Sequence, residues 1–119
     1  MSALTYETLP LELRDRVPGF DAIYAEHVRD YDEVLPHVLL GDLVRYLEAE
    51  VRAQGPESAV LRPALSLLEA AMSAPDPRLQ ELIAVSFLEN LDRFSASYST
   101  ITHEMGPRLR EQLRAFERA

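Results

Sequence analysis

Three histidines, at 27, 37 and 103, are the imidazoles of a chain that has no cysteine. Disulfides, thiolate metal sites and Cys nucleophiles are therefore excluded. His27 is followed by Asp30 and Tyr31, so on a helix an Asp30/His27 pair shares one face and offers two metal ligands. A catalytic zinc takes three protein ligands, and no HExxH is present. The expected role of His27 is accordingly a half-buried ring bonded to a carboxylate or a carbonyl. His37 follows Pro36 in a helical first turn and reads as a cap or a surface residue. His103 stands near Ser97 and Ser99, but no GxSxG elbow aims a serine at it. Four isolated glycines cannot build a phosphate loop. No catalytic residue, metal ligand or cofactor is assigned.

Carboxylates are the more informative group. The chain carries 20 Asp+Glu against 12 basic residues, all Arg, for a net charge of −8. Residues 1 to 60 hold 12 acids and 5 Arg, whereas residues 61 to 119 hold 8 acids and 7 Arg. Within the first half, Asp21, Glu26, Asp30, Asp32 and Glu33 face a single Arg29. Such a concentration is either a solvated helix face or a docking surface that raises the encounter rate with a basic partner. Tyr24 and Tyr31 border it, and Tyr rimmed by charge is a composition that interfaces favour. The acidic balance argues against nucleic acid and anionic membrane as partners, because both reward a basic surface.

The elements that must position these groups are helical. Phe20, Ile23, Tyr24, His27, Val28 and Tyr31 repeat at helical spacing and lie on one side of a helix, after a Pro18-Gly19 turn that follows a shorter helix near Leu9 to Arg16. Pro36 opens a second long helix that ends at Gln54-Gly55-Pro56, with Gly55 as the cap. A third starts between Glu57 and Arg62, Pro63 favouring the later start. Asp76 and Pro77 are the N-cap and first residue of a fourth, Arg78 to about Arg93, apolar around most of its circumference and expected at the centre of the core. Ser86 and Asn90 fall on its apolar side and are expected to be hydrogen-bonded polar groups within the core. Ser95 to His103, rich in hydroxyls, reads as a loop, and Gly106-Pro107 restarts a last helix carrying Leu109, Leu113 and Phe116.

No β-branched alternating run is present, so the expected fold is all-α: a single domain, 1–119, of five or six antiparallel helices in HEAT-like hairpins, with no sheet. Residues 1–17 are expected to form a loosely packed N-terminal segment. A 47% hydrophobic content argues against disorder. Neither a signal-peptide pattern nor a run long enough to cross a bilayer is visible, which points to a soluble, cytoplasmic protein.

The segments Pro36-His37-Val38-Leu39-Leu40-Gly41-Asp42-Leu43, Ala84-Val85-Ser86-Phe87-Leu88-Glu89-Asn90-Leu91 and Gly106-Pro107-Arg108-Leu109-Arg110 resemble a family of small, uncharacterised bacterial helical proteins, often encoded near polymorphic toxins and treated as immunity-like. The resemblance spans about residues 17 to 116. It implies a structural role for Gly41, Asp42, Glu89 and Asn90 and supplies no catalytic residue. The expected function is thus a non-catalytic immunity protein that covers the active site of a cognate protein toxin with a basic surface, through Asp21, Glu26, Asp30, Asp32, Glu33, Tyr24 and Tyr31. Two alternatives are a small helical adaptor binding an apolar peptide or helix, and a His-based metal-binding protein.

Overall fold

A computed structural model describes residues 4–117. Seven α-helices are found among them: α1 Leu9–Arg16, α2 Phe20–Tyr31, α3 Pro36–Gln54, α4 Leu61–Met72, α5 Pro77–Ile83, α6 Ala96–His103 and α7 Pro107–Glu117. No strand occurs among the described residues, so the all-α class holds, with seven helices in place of five or six. The helices also do not stack as HEAT-like hairpins. They gather around α3, the longest, which touches α2, α4, α5 and α6. No helix among the described residues is long and apolar enough to cross a membrane.

The sequence explains why α3 is central. Leu39, Leu40, Leu43 and Leu47 recur at helical spacing and are fully buried, while Pro36 at the first position and Gly55 at φ 70° fix its two ends. Phe20 from α2, Leu61 and Leu68 from α4 and Leu79 and Leu82 from α5 are also fully buried in this core. Residues 1–3 of the N-terminal segment lie outside the described residues. Its helical part packs firmly, since α1 contributes Leu9 and Leu13, both fully buried, followed by Val17.

The helix expected at the centre departs most from a 3.6-residue pattern. After α5 the chain makes one π-helical turn, Ala84–Leu88, in which the Glu89 N–H donates to the Ala84 carbonyl five residues back at 3.1 Å. A turn with an extra residue rotates everything after it by about 100° relative to a continuous α-helix. Asn90 therefore leaves the inward face: it is exposed, and its Nδ2 donates to the Ser86 carbonyl at 2.8 Å. The helical run also ends at Leu88 rather than near Arg93, and Phe94, on the loop that follows, is 99% exposed. Ser86 does enter the core, where 5% of it remains exposed.

The hydroxyl-rich segment read as a loop is helix α6. Ser95 caps it, its Oγ accepting from the Ser97 N–H at 3.2 Å, and the Thr102 hydroxyl donates back to the Tyr98 carbonyl at 2.9 Å. Hydroxyls that satisfy the helix's own backbone obscured a buried row of Ser97, Ile101 and Met105, four residues apart.

Candidate functional site

Between α2 and α3 lies a cleft of about 350 Å³. Ile23, Glu26, His27, Asp30 and Tyr31 line it from α2, and Asp42, Arg45 and Tyr46 from α3. Its α2 wall follows from spacing alone, since residues 23, 26, 27, 30 and 31 share one face of a helix. The hairpin connection sets how α3 meets that face. Asp32 adopts φ 57° at the end of α2, a left-handed conformation that Asp tolerates better than most residues, and its N–H donates to the Val28 carbonyl at 2.8 Å.

His27 holds the hairpin from inside. Its ring is 2% exposed, and Nε2 accepts a hydrogen bond from the Leu35 backbone N–H at 2.9 Å. A ring that accepts at Nε2 is neutral and carries its proton on Nδ1. That Nδ1–H has no hydrogen-bond partner among the described residues; the nearest carboxylate oxygen, Asp42 Oδ2, lies 3.7 Å away. The partner of Nε2 is thus a backbone amide rather than the carboxylate or carbonyl expected from sequence. With Nδ1 protonated and the ring's single acceptor lone pair, on Nε2, taken by an amide proton, His27 has none free for a metal. Among the described residues no three His, Asp or Glu side chains are grouped to hold one.

Asp42 is shared between a buried and an exposed partner. Its Oδ1 pairs with Arg45, whose side chain is 70% exposed, while Oδ2 faces His27. Tyr46 closes the far end of the cleft, its hydroxyl donating to the Pro18 carbonyl at 2.6 Å. Burial first, then the charges of Glu50 and Asp21, pushes this phenol above its ordinary value. Tyr31 at the other end is 46% exposed, and its ring lies tilted against that of His27 at 4.9 Å between centroids.

Of the partner-binding residues expected from sequence, the cleft unites Glu26, Asp30 and Tyr31, beside His27, and leaves Asp21, Tyr24, Asp32 and Glu33 outside. Asp21 is exposed in the first turn of α2, and Asp32 and Glu33 are exposed in the turn after it. Tyr24 is half-buried, with the Arg14 guanidinium 5.4 Å from its ring centre. None of Asp21, Glu26, Asp30, Asp32 and Glu33 is engaged in a close ion pair among the described residues. Asp42, Arg45 and Tyr46 were missed as site residues, because what faces α2 from α3 depends on how the hairpin closes.

The other histidines lie elsewhere. His103 is exposed, and Ser97 bonds to Ser95 rather than to it. His37 Nδ1 instead meets the Ser86 Oγ at 2.5 Å, a pair 49 residues apart that no sequence signal announces. Tyr6 stands beside His37 at 6.2 Å between ring centres and beneath the Arg78 guanidinium at 4.3 Å. Its N–H donates to Asp76 Oδ2 at 2.8 Å, and Asp76 Oδ1 accepts from the Arg78 N–H at 3.1 Å. Asp76 thus caps α5 and ties the segment before α1 to it. These backbone bonds, that from Tyr6 foremost, hold its carboxyl below the ordinary carboxylate range.

A second concavity, about 450 Å³, lies along α4 beside the turn into α7 and carries Arg62, Glu69 and Glu104. Glu69 is engaged there, its two carboxylate oxygens accepting from the N–H groups of Arg108 at 2.8 Å and Leu109 at 3.0 Å. No curated protein and no solved structure matches the chain. Residues 10–118 match the model of a domain of unknown function, DUF7674, and the chain belongs to that family.

Proposed function

We propose that this protein is a non-catalytic immunity protein that binds a cognate toxin through the acidic surface of α2 and the turn that follows it. The observation that carries the reading is the set of five carboxylates, Asp21, Glu26, Asp30, Asp32 and Glu33, without an ion-pair partner among the described residues. Unpaired like charge on one helix opposes the compact state through self-repulsion, and a basic partner removes that repulsion on binding. Charge of this kind acts chiefly on the association rate and on the rejection of wrong partners. Tyr31, exposed at the same edge, adds an aromatic contact. The proposed partner is a protein toxin whose active-site surface is basic, and the proposed setting is the bacterial cytoplasm.

The experiment is co-expression of this chain with basic bacterial toxin domains, followed by association kinetics with the purified toxin that it neutralises. Growth rescue is expected. The Asp30→Lys, Asp32→Lys, Glu33→Lys variant should associate at least about tenfold more slowly at low salt while its helical circular dichroism stays unchanged. An unchanged association rate removes the acidic face from the interface. The adaptor alternative gains less support, because the concavity along α4 sets Arg62, Glu69 and Glu104 among Leu65 and Ala70 and offers no continuous apolar wall for a docked helix.

A further inference from the structure

The α2–α3 cleft joins two features that the acidic surface alone does not explain. Glu26 and Asp30, one helical turn apart and without ion-pair partners among the described residues, stand on its α2 wall. Behind them is the His27 Nδ1–H, fully buried and without a hydrogen-bond partner, 3.7 Å from an Asp42 oxygen. A buried donor left unpaired is costly, and a gap of 3.7 Å is a little too long for a hydrogen bond.

We infer that this cleft receives an arginine side chain of the basic partner, and that its entry closes the His27–Asp42 gap into a hydrogen bond. A guanidinium offers its donors in a fixed planar fork, which suits two carboxylates one turn apart better than the point charge of a lysine. The exposed ring of Tyr31 supplies a face on which the guanidinium stacks. Ile23 is the apolar surface for the aliphatic stem. A cation placed between Glu26 and Asp30 on α2 also attracts Asp42 on α3, whose Oδ1 pairs with Arg45, a cleft-lining side chain 70% exposed. The movement required of the carboxylate is well under 1 Å, since a hydrogen bond forms at about 3 Å. Six of the eight residues that line the cleft, Ile23, Glu26, His27, Asp30, Tyr31 and Asp42, would then act together in recognition.

This inference rests on the reading of the acidic face as a docking surface, and its test separates the two. Nuclear magnetic resonance titration of the full chain with N-acetyl-argininamide should shift the signals of Ile23, Tyr31 and Tyr46 saturably, in the millimolar range. The His27 Nδ1 proton should move downfield and exchange more slowly with water as its bond to Asp42 forms. The uncharged citrulline analogue should produce neither change. The Glu26→Gln, Asp30→Asn variant should bind N-acetyl-argininamide roughly tenfold more weakly, the loss expected for two partly exposed charged contacts. Shifts spread equally over Asp21, Asp32 and Glu33, an identical response to citrulline, or an unchanged double variant would overturn the inference. With the toxin itself, reversal of Asp21, Asp32 and Glu33 slowing association while the cleft variant leaves it unaltered also overturns the cleft, yet retains the acidic face. No change in either variant overturns both.

Discussion

The Glu69 carboxylate occupies the space that a side chain at position 106 would need. A Cβ at Gly106 would meet the Glu69 carboxyl carbon at 2.5 Å, while the same carboxylate accepts the first free N–H groups of α7 from Arg108 and Leu109. Glu69 thus caps a helix to which it does not belong, and Gly106 is the opening through which it reaches. Gly106→Ala should displace the carboxylate and uncap those amides, lowering stability by about 0.5–2 kcal/mol, the cost of a lost helix cap. Glu69→Ala should cost a similar amount, and the double variant much less than the sum. Urea unfolding of the four proteins measures the cycle.

His27 supplies the acceptor for the Leu35 amide inside the α2–α3 hairpin. Replacement by Phe keeps the ring but leaves that amide without an acceptor in a buried site, and should destabilise by about 1–3 kcal/mol. Gln, which carries a side-chain carbonyl, should recover part of the loss. A Phe variant as stable as the parent protein in chemical denaturation would show that the bond contributes nothing.

Asp76 titrates lower in the fold than its ordinary value of 3.8, because the amides of Tyr6, Arg78 and Leu79 favour its charged form. A group of this sign stabilises fully above its unfolded pKa, and the contribution is lost as pH falls through the lower folded value. Asp76→Asn should therefore flatten the fall in Tm below pH 4 and lower Tm at neutral pH. Melting curves from pH 2 to pH 7 test both parts.

Tyr46 gives the opposite sign. Its phenol is raised above the ordinary value of 10.0, chiefly by burial, so the stability it contributes is complete below that pH and lost as pH rises through the folded value. Tyr46→Phe should narrow the loss of Tm between neutral pH and pH 11 without abolishing it, because Tyr98 is raised in the same sense by its burial and by Glu117. Ultraviolet titration of the phenolates, run beside the melts, assigns the difference.

The helix ends show which information local sequence carries. Pro36, Gly55, Asp76 and Pro77 marked helix ends correctly, because capping and backbone constraints act within a few residues. The stripe from Phe20 to Tyr31 placed His27, Asp30 and Tyr31 on one face, and the cleft uses that face. Ser86, read as a polar group of the core, is buried there. Asn90 was misplaced because one five-residue hydrogen bond from Glu89 to Ala84 shifts the helical phase, and Phe94 because the helical run ends at Leu88 rather than near Arg93; nothing in the side chains between announces either. Helix α6 was missed because its hydroxyls look like loop chemistry until their backbone partners are known. The contributions of Asp42 and Glu69 arise from contacts between helices and have no counterpart in local pattern.

The two long-range caps also govern the order of assembly. Asp76 receives an amide 70 residues before it, and Glu69 receives amides 39 and 40 residues after it. The α4–α5 hairpin is therefore a clasp on which α1 and α7 are both fastened. On the ribosome, α1 must wait for Asp76 to emerge, and α4 keeps an unanswered carboxylate until Leu109 has followed. Contacts of such separation form late and together, so the chain should fold in one cooperative step rather than helix by helix.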